Sequence, residues 1–205
     1  MSILILLSVL NRKSHDENES LLLTRIAEGD EEALARLYDL YSGILFGLIR
    51  TIVKNSETAE DLLQEIFLLI WKRAASFDPS KGSVYTWLIT LTRNKSIDKI
   101  RSKSYRMQQQ HLSDEQAMPF SILVSNEKSP HESMWLDEKT EIIKNALNKI
   151  PAKQRKVIEI AFYEGLSQSK ISEMYHIPLG TVKTRMRQGL EKLQVLLKNS
   201  EEMLR

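Results

Sequence analysis

The sequence predicts an all-α chain, with two small helical domains joined by a flexible linker. Apolar residues recur at three- and four-residue spacing through several long segments, and glycine and proline are scarce, at 7 and 5 of 205 residues. The periodicity fades beyond about Arg106, where Gln108-Gln109-Gln110, Pro119, Ser125-Asn126 and Ser129-Pro130 take over, and returns near Trp135. The length accommodates two units of roughly 100 residues each. The expected division is an extension over 1–20, a first domain over 21–106, a linker over 107–135, a second domain over 136–199 and a tail over 200–205.

The stretch from Ile3 to Leu10 is apolar but too short to span a bilayer. No basic segment precedes it, and it runs into polar Asn11 to Ser20 without a small-residue cleavage site. It reads as an added, disordered tail; a docking segment and an artefact of start-codon choice stay open. From Glu31 to Val53 the residues Leu34, Leu37, Tyr41, Ile44, Leu48 and Ile52 form one helical stripe, with Asp30 placed to cap it. Lys54-Asn55 breaks the run. The next helix runs from Glu57 to near Phe77: Glu57, Glu60 and Asp61 crowd the positive end of its dipole, and Leu63, Ile66, Ile70 and Ala74 make its stripe. Asp78 to Ser83 has turn chemistry throughout. A third helix carries Val84, Trp87, Leu88 and Leu91 toward Ile97 and Ile100. In the second domain helices are expected at Asp137 to Lys149, Pro151 to Tyr163 with proline at the first helical position, Gln168 to Tyr175, and Thr181 to Leu197.

Composition narrows the function classes. The absence of cysteine removes disulfide scaffolds, thiolate zinc sites and cysteine nucleophiles, and suits a reducing cytoplasm. The four histidines, His15, His111, His131 and His176, lack ligand spacing, and no phosphate-cradling glycine loop or nucleophile motif is present. A helical enzyme is therefore disfavoured, and neither a cofactor nor a small-molecule substrate is expected. The formal net charge of +2 leaves the choice of partner to local patches.

The segment from Gly165 to Arg185 reads as a helix-turn-helix. Ser167 caps the first helix, Ile171 and Met174 face inward, the turn spans His176 to Gly180, and Val182 anchors the second helix. Lys183, Thr184, Arg187 and Gln188 then project outward, with Arg185 beside them. Donors near the start of such a helix reach base edges and phosphates when it enters a major groove. From Leu166 to Gln194, five bases (Lys170, Lys183, Arg185, Arg187, Lys192) face two acids (Glu173, Glu191). A solvated face on an ordinary helix pair is the competing reading.

The strongest basic stretch lies from Val84 to Arg106, where Arg93, Lys95, Lys99, Arg101, Lys103 and Arg106 face a single acid, Asp98. It follows Tyr85 and Trp87. Aromatic rings beside cations hold unstacked bases along a phosphate backbone, so single-stranded DNA is the implied ligand. Trp87 sits on the apolar stripe and suits core or platform equally; Tyr85 lies off it and is expected to be exposed. On the preceding helix Asp61, Gln64, Glu65, Lys72 and Arg73 are outside an oily rod, which by itself says only that the helix start is well stabilised.

Three blocks in order resemble the extracytoplasmic-function sigma factor family. Ala59 to Trp71 is similar to the family's segment that docks on the clamp helices of the largest polymerase subunit, which implies core-polymerase contacts at Asp61, Gln64 and Glu65. Phe77, Tyr85-Thr86-Trp87-Leu88 and Arg93 to Arg101 resemble the segment that melts and reads the minus-10 element. There the preceding loop, here Asp78 to Ser83, receives a flipped base. The resemblance implies single-strand contacts at Lys81, Ser83, Tyr85, Trp87, Asn94 and Arg101. Ile150 to Arg155, continuing through Gly180 to Met186, is similar to the minus-35-binding domain, implying duplex contacts at Lys170, Thr181, Lys183, Thr184, Arg185, Arg187 and Gln188. The larger relatives carry further domains for which 205 residues leave no room. Core RNA polymerase, promoter DNA and an anti-sigma protein, membrane-borne in some members, are the partners implied.

The chain departs from the family pattern in places. Gln168-Ser169-Lys170 stands where acidic residues are usual, so a capping box is lost and a cation gained. Ser172 replaces a common alanine. Tyr175-His176 replaces a common leucine-glycine, and histidine tolerates the left-handed conformation that such a turn requires. Gln188 stands where arginine is frequent, with Arg187 one residue earlier. An autonomous helix-turn-helix regulator is the alternative reading.

Overall fold

The computed structural model describes residues 13–102 and 142–203, which fall in two compact units. Both are helical throughout, without strands among the described residues. The expected linker at 107–135, Lys103, Arg106, residues 137–141 and the apolar stretch Ile3 to Leu10 lie outside them.

The first unit comprises α1 (Lys13–Ala27), α2 (Glu31–Val53), α3 (Ser56–Arg73), two 3-10 turns (Ala74–Ser76 and Pro79–Lys81) and α4 (Val84–Arg101). Helix α2 is the central rod, packed on both α3 and α4. Its inward residues Leu37, Tyr41, Leu45 and Ile49 are fully buried. Each buried side chain of this size contributes about 1.5–3 kcal/mol. Asp30 caps α2 as expected, accepting from the Ala33 N–H at 3.0 Å and pairing with Arg25 at 2.6 Å. Those bonds, with the Ala33 amide foremost, hold its carboxyl below the usual aspartate range. Lys54 ends the helix in the left-handed region at φ 60°, and Asn55 starts α3 by accepting from the Thr58 N–H at 2.7 Å. The Lys54-Asn55 break is thus a C-cap followed directly by an N-cap.

The start of the chain corrects one expectation. The polar stretch assigned to a disordered extension is helical from Lys13, and α1 buries Leu22, Leu23 and Ile26, together with Glu19. Those three apolar residues anchor the helix on α2 and α3, and propagation from an anchored turn is far easier than nucleation. A polar run needs no stripe of its own to follow.

The second unit comprises α5 (142–149), α6 (Ala152–Tyr163), α7 (Gln168–Met174) and α8 (Leu179–Met203). Helix α8 packs on α6 and α7 over Val157, Ile158, Ile171, Val182, Met186 and Leu190. Pro151 precedes α6 as its N-cap residue, one position earlier than expected. Helix α8 begins two residues before Thr181 and continues through the expected tail to Met203. At Gly189 a Cβ would lie 2.7 Å from Ile158 Cδ1 and 3.2 Å from Gln154 Cβ, so glycine lets α6 and α8 cross closely. Gly189→Leu is therefore expected to lower stability by about 1–3 kcal/mol through overpacking, read as a depressed melting temperature in circular dichroism.

Candidate functional site

On α3, Asp61, Gln64 and Glu65 are all exposed, and helical spacing places Leu68 on the same face. Leu68 is 61% exposed. The face is an apolar side chain framed by acids, whereas the opposite side (Leu62, Leu63, Ile66, Ile70) is core. Leu68 escaped the sequence reading because it merges with the oily run Phe67 to Ile70; only its register, seven residues after Asp61, separates it. Glu65 also reaches across to α4, where its carboxylate lies 3.0 Å from Lys95 Nζ.

The loop before α4 is braced from within. Asp78 accepts from the Ser80 hydroxyl at 2.6 Å and its amide at 3.0 Å, and pairs with Lys81 at 3.1 Å. The Ser80 hydroxyl, then Lys81, draw the Asp78 carboxyl down to about 2. A depressed carboxyl favours the braced loop above its unfolded value of 3.8 and loses that contribution only as pH falls through about 2. The brace is intact at neutral pH. Lys81 remains largely exposed despite its pair. Gly82 lies at φ 151°, outside the comfortable range of an L-residue. Ser83 is buried, and its hydroxyl caps α4 through the Thr86 N–H and Oγ1. The side chain expected at the single strand therefore serves the helix start.

Tyr85 corrects the second expectation. It is 4% exposed, and burial pushes its phenol well above the ordinary value. The stripe that α4 buries runs through Tyr85, Leu88, Ile89, Thr92 and Ser96. Two of those five are polar, with Ser96 Oγ satisfied by the Thr92 carbonyl at 2.8 Å, so hydrophobicity alone placed the inward face about a quarter-turn away. Trp87 is the half-buried aromatic, its ring set edge-on to Phe77 at 5.9 Å. Trp87, Asn94 and Arg101 recur every seven residues along one face of α4, with Asp98 between the last two; Asn94, Asp98 and Arg101 are exposed. Arg93 is half-buried, and that burial, with Arg101 nearby, lowers its pKa.

The helix-turn-helix is present. Ser167 Oγ accepts from the Lys170 N–H at 3.2 Å and caps α7, and His176 takes the left-handed turn at φ 51°. Ile171 and Val182 are completely buried. Met174, expected inward, is 52% exposed, because α7 stops there and Ile171 alone fills the seat beneath it. Tyr175 donates to the Glu164 carboxylate at 2.9 Å, tying the end of α7 to the end of α6. Burial, then the bond to Glu164, raises the tyrosine's pKa. Tyr175 stood out in the sequence only as a departure at the turn, and Glu164, eleven residues away, did not stand out at all.

At the start of α8, Lys183, Thr184, Arg187 and Gln188 are exposed, while Thr181 and Arg185 are half-buried. Several are already engaged. Thr184 donates to the Gly180 carbonyl at 2.9 Å, Arg187 pairs with Glu191 at 3.2 Å, Gln188 accepts from Gln154 at 3.1 Å, and Lys170 on α7 pairs with Glu173 at 3.0 Å. Exposed pairs of this kind are worth less than about 1 kcal/mol and exchange readily for a phosphate.

Comparison with known proteins agrees with both units. Residues 37–106 match the Sigma-70 region 2 family and residues 146–195 match Sigma-70, region 4. The chain is 31% identical over 178 residues to the ECF RNA polymerase sigma factor SigK of Mycolicibacterium vanbaalenii, covering 86% of this chain and 87% of that one. It is 30% identical over 174 residues to SigK of Mycobacterium tuberculosis, covering 84% and 90%. Among solved structures, Rhodobacter sphaeroides SigE in complex with the anti-sigma ChrR aligns at 27% identity and a TM-score of 0.45, covering 88% of this chain and 98% of that one. Two helical units matched in family order, together with relatives alike over most of their length, show that the chain belongs to the extracytoplasmic-function family of RNA polymerase sigma factors.

Proposed function

We propose that this chain binds core RNA polymerase through α3 and directs it to promoters, with the second unit holding upstream duplex while the first captures the opened strand. The observation that carries this reading is the different chemistry of three faces, two on the first unit and one on the second. These are an acid-framed leucine on α3, an aromatic-and-cation face on α4, and a donor-rich face at the start of α8.

Asp61, Gln64 and Glu65, with Leu68 among them, are the proposed polymerase contacts. Trp87, Asn94, Arg101 and Lys81 are the proposed single-strand contacts, with Trp87 taking the stacking part first assigned to Tyr85. Ser83 and Tyr85 support that surface from beneath. Lys183, Thr184, Arg187 and Gln188 are placed to meet the major groove, flanked by Thr181, Arg185 and Lys170 on the backbone side. Melting is then driven by binding energy for the single strand, without nucleotide hydrolysis, and the chain acts as an initiation factor and not an enzyme. Its workplace is the cytoplasm, where polymerase and promoter DNA are found; no helix among the described residues is long and apolar enough to cross a membrane. An anti-sigma protein is the proposed regulator.

Adding the full chain to core polymerase on a library of supercoiled genomic templates is expected to create new start sites. Their absence, with duplex binding retained, would favour the autonomous regulator. Lys183→Ala is expected to weaken upstream-element use and relax preference at one base by about 1–3 kcal/mol, measured by competition binding against single-base variants. Unchanged promoter choice would remove Lys183 from base reading.

A further inference from the structure

Glu65 lies on the proposed polymerase-docking face of α3, yet its carboxylate is 3.0 Å from Lys95 Nζ on α4. Asn94 and Asp98, one residue before Lys95 and one turn after it, are on the exposed face of the nucleic-acid helix. Both partners are partly exposed, at 39% for Lys95 and 47% for Glu65, so each can be reached by an outside charge without disturbing the core. From this geometry we infer that the Glu65–Lys95 pair is a lock coupling polymerase docking to strand capture. In the free chain Glu65 neutralises a cation beside the strand-binding face. When docking engages Glu65, Lys95 is released to a phosphate.

A surface pair is weak and screened, so a cation contributed by a partner can replace Lys95 at little cost. A freed lysine next to a polyanion gains by releasing a condensed counterion, which makes the effect visible in the salt dependence of binding. Two further pairs described in the first unit have a different character: Arg25–Asp30 closes a helix cap and Lys81–Asp78 braces a loop, each within a few residues in sequence. Glu65 and Lys95 instead join two helices that carry different proposed contacts. The inference rests on the polymerase and strand faces assigned above, and adds that the two are energetically linked.

The test uses the full chain without polymerase, with fluorescein-labelled oligo-dT as the probe and anisotropy read over a range of salt. Glu65→Gln should bind the probe about threefold more tightly than the unaltered chain at low salt. Its plot of log affinity against log salt should steepen by about 0.7, the increment of one added single-strand phosphate contact. Glu60→Gln, which removes an exposed acid from the same helix, controls for net charge and should give a smaller gain without the steeper slope. In a Lys95→Gln background, Glu65→Gln should give no more than that control. Gains equal in Glu65→Gln and Glu60→Gln, or a Glu65→Gln gain that survives without Lys95, would overturn the lock. Either failure, found while the unaltered chain still creates start sites with polymerase, would leave the initiation-factor reading standing.

Discussion

Replacing Ile171 by alanine is expected to unfold the helix-turn-helix unit and abolish its grip on duplex DNA. Ile171 is completely buried beneath α8, and α7 is only seven residues long, with no other buried residue to hold it. Truncating a buried isoleucine costs about 2–5 kcal/mol. A unit of this size is stable by only several kcal/mol, on the order of 0.1 kcal/mol per residue. The loss therefore approaches the whole. Hydrogen exchange should show lost protection across α6 to α8, with α2 to α4 still protected. Full protection of α8 in the variant would mean that α6 and α8 hold the recognition surface without α7.

The second large effect is expected at Leu68. Leu68→Glu should leave the fold intact, because the side chain is mostly in solvent, yet lower affinity for core polymerase by tenfold or more. An apolar anchor at the centre of an interface is commonly worth about 2 kcal/mol or more, and a carboxylate buried there adds desolvation without a partner. Three acids or amides already surround the position, so the added charge also repels its neighbours. Unchanged melting with reduced co-migration on core polymerase would place Leu68 in the docking surface. Unchanged affinity would move docking elsewhere on the unit.

Much of the architecture was legible because it rests on short-range chemistry. Asp30 and Ser167 are the N-caps their positions predict, and the left-handed Lys54 and His176 sit at the break and the turn that the sequence marks. Such signals need only a few neighbouring residues. What stayed hidden depends on partners distant in sequence. Helix α1 could not be read from Lys13 onward because its early turns follow an anchor supplied by Leu22, Leu23 and Ile26. Tyr85, expected to be exposed, is buried and Trp87 half-buried because α4 turns a face containing Thr92 and Ser96 inward, which no apolar count anticipates. Met174 came out exposed because a helix of seven residues presents a single inward position. The Glu65–Lys95 and Glu164–Tyr175 contacts join residues that only the fold brings together.

The most direct measurement is permanganate reactivity of thymines on a supercoiled promoter template in the presence of the chain, core polymerase, or both. Opening by a strand-capturing initiation factor predicts a short patch of reactive thymines just upstream of the start site, seen only when both are present and without added nucleotide triphosphates. A chain that forms a stable complex with core polymerase, and binds the template with it, yet never renders a thymine reactive would contradict the account.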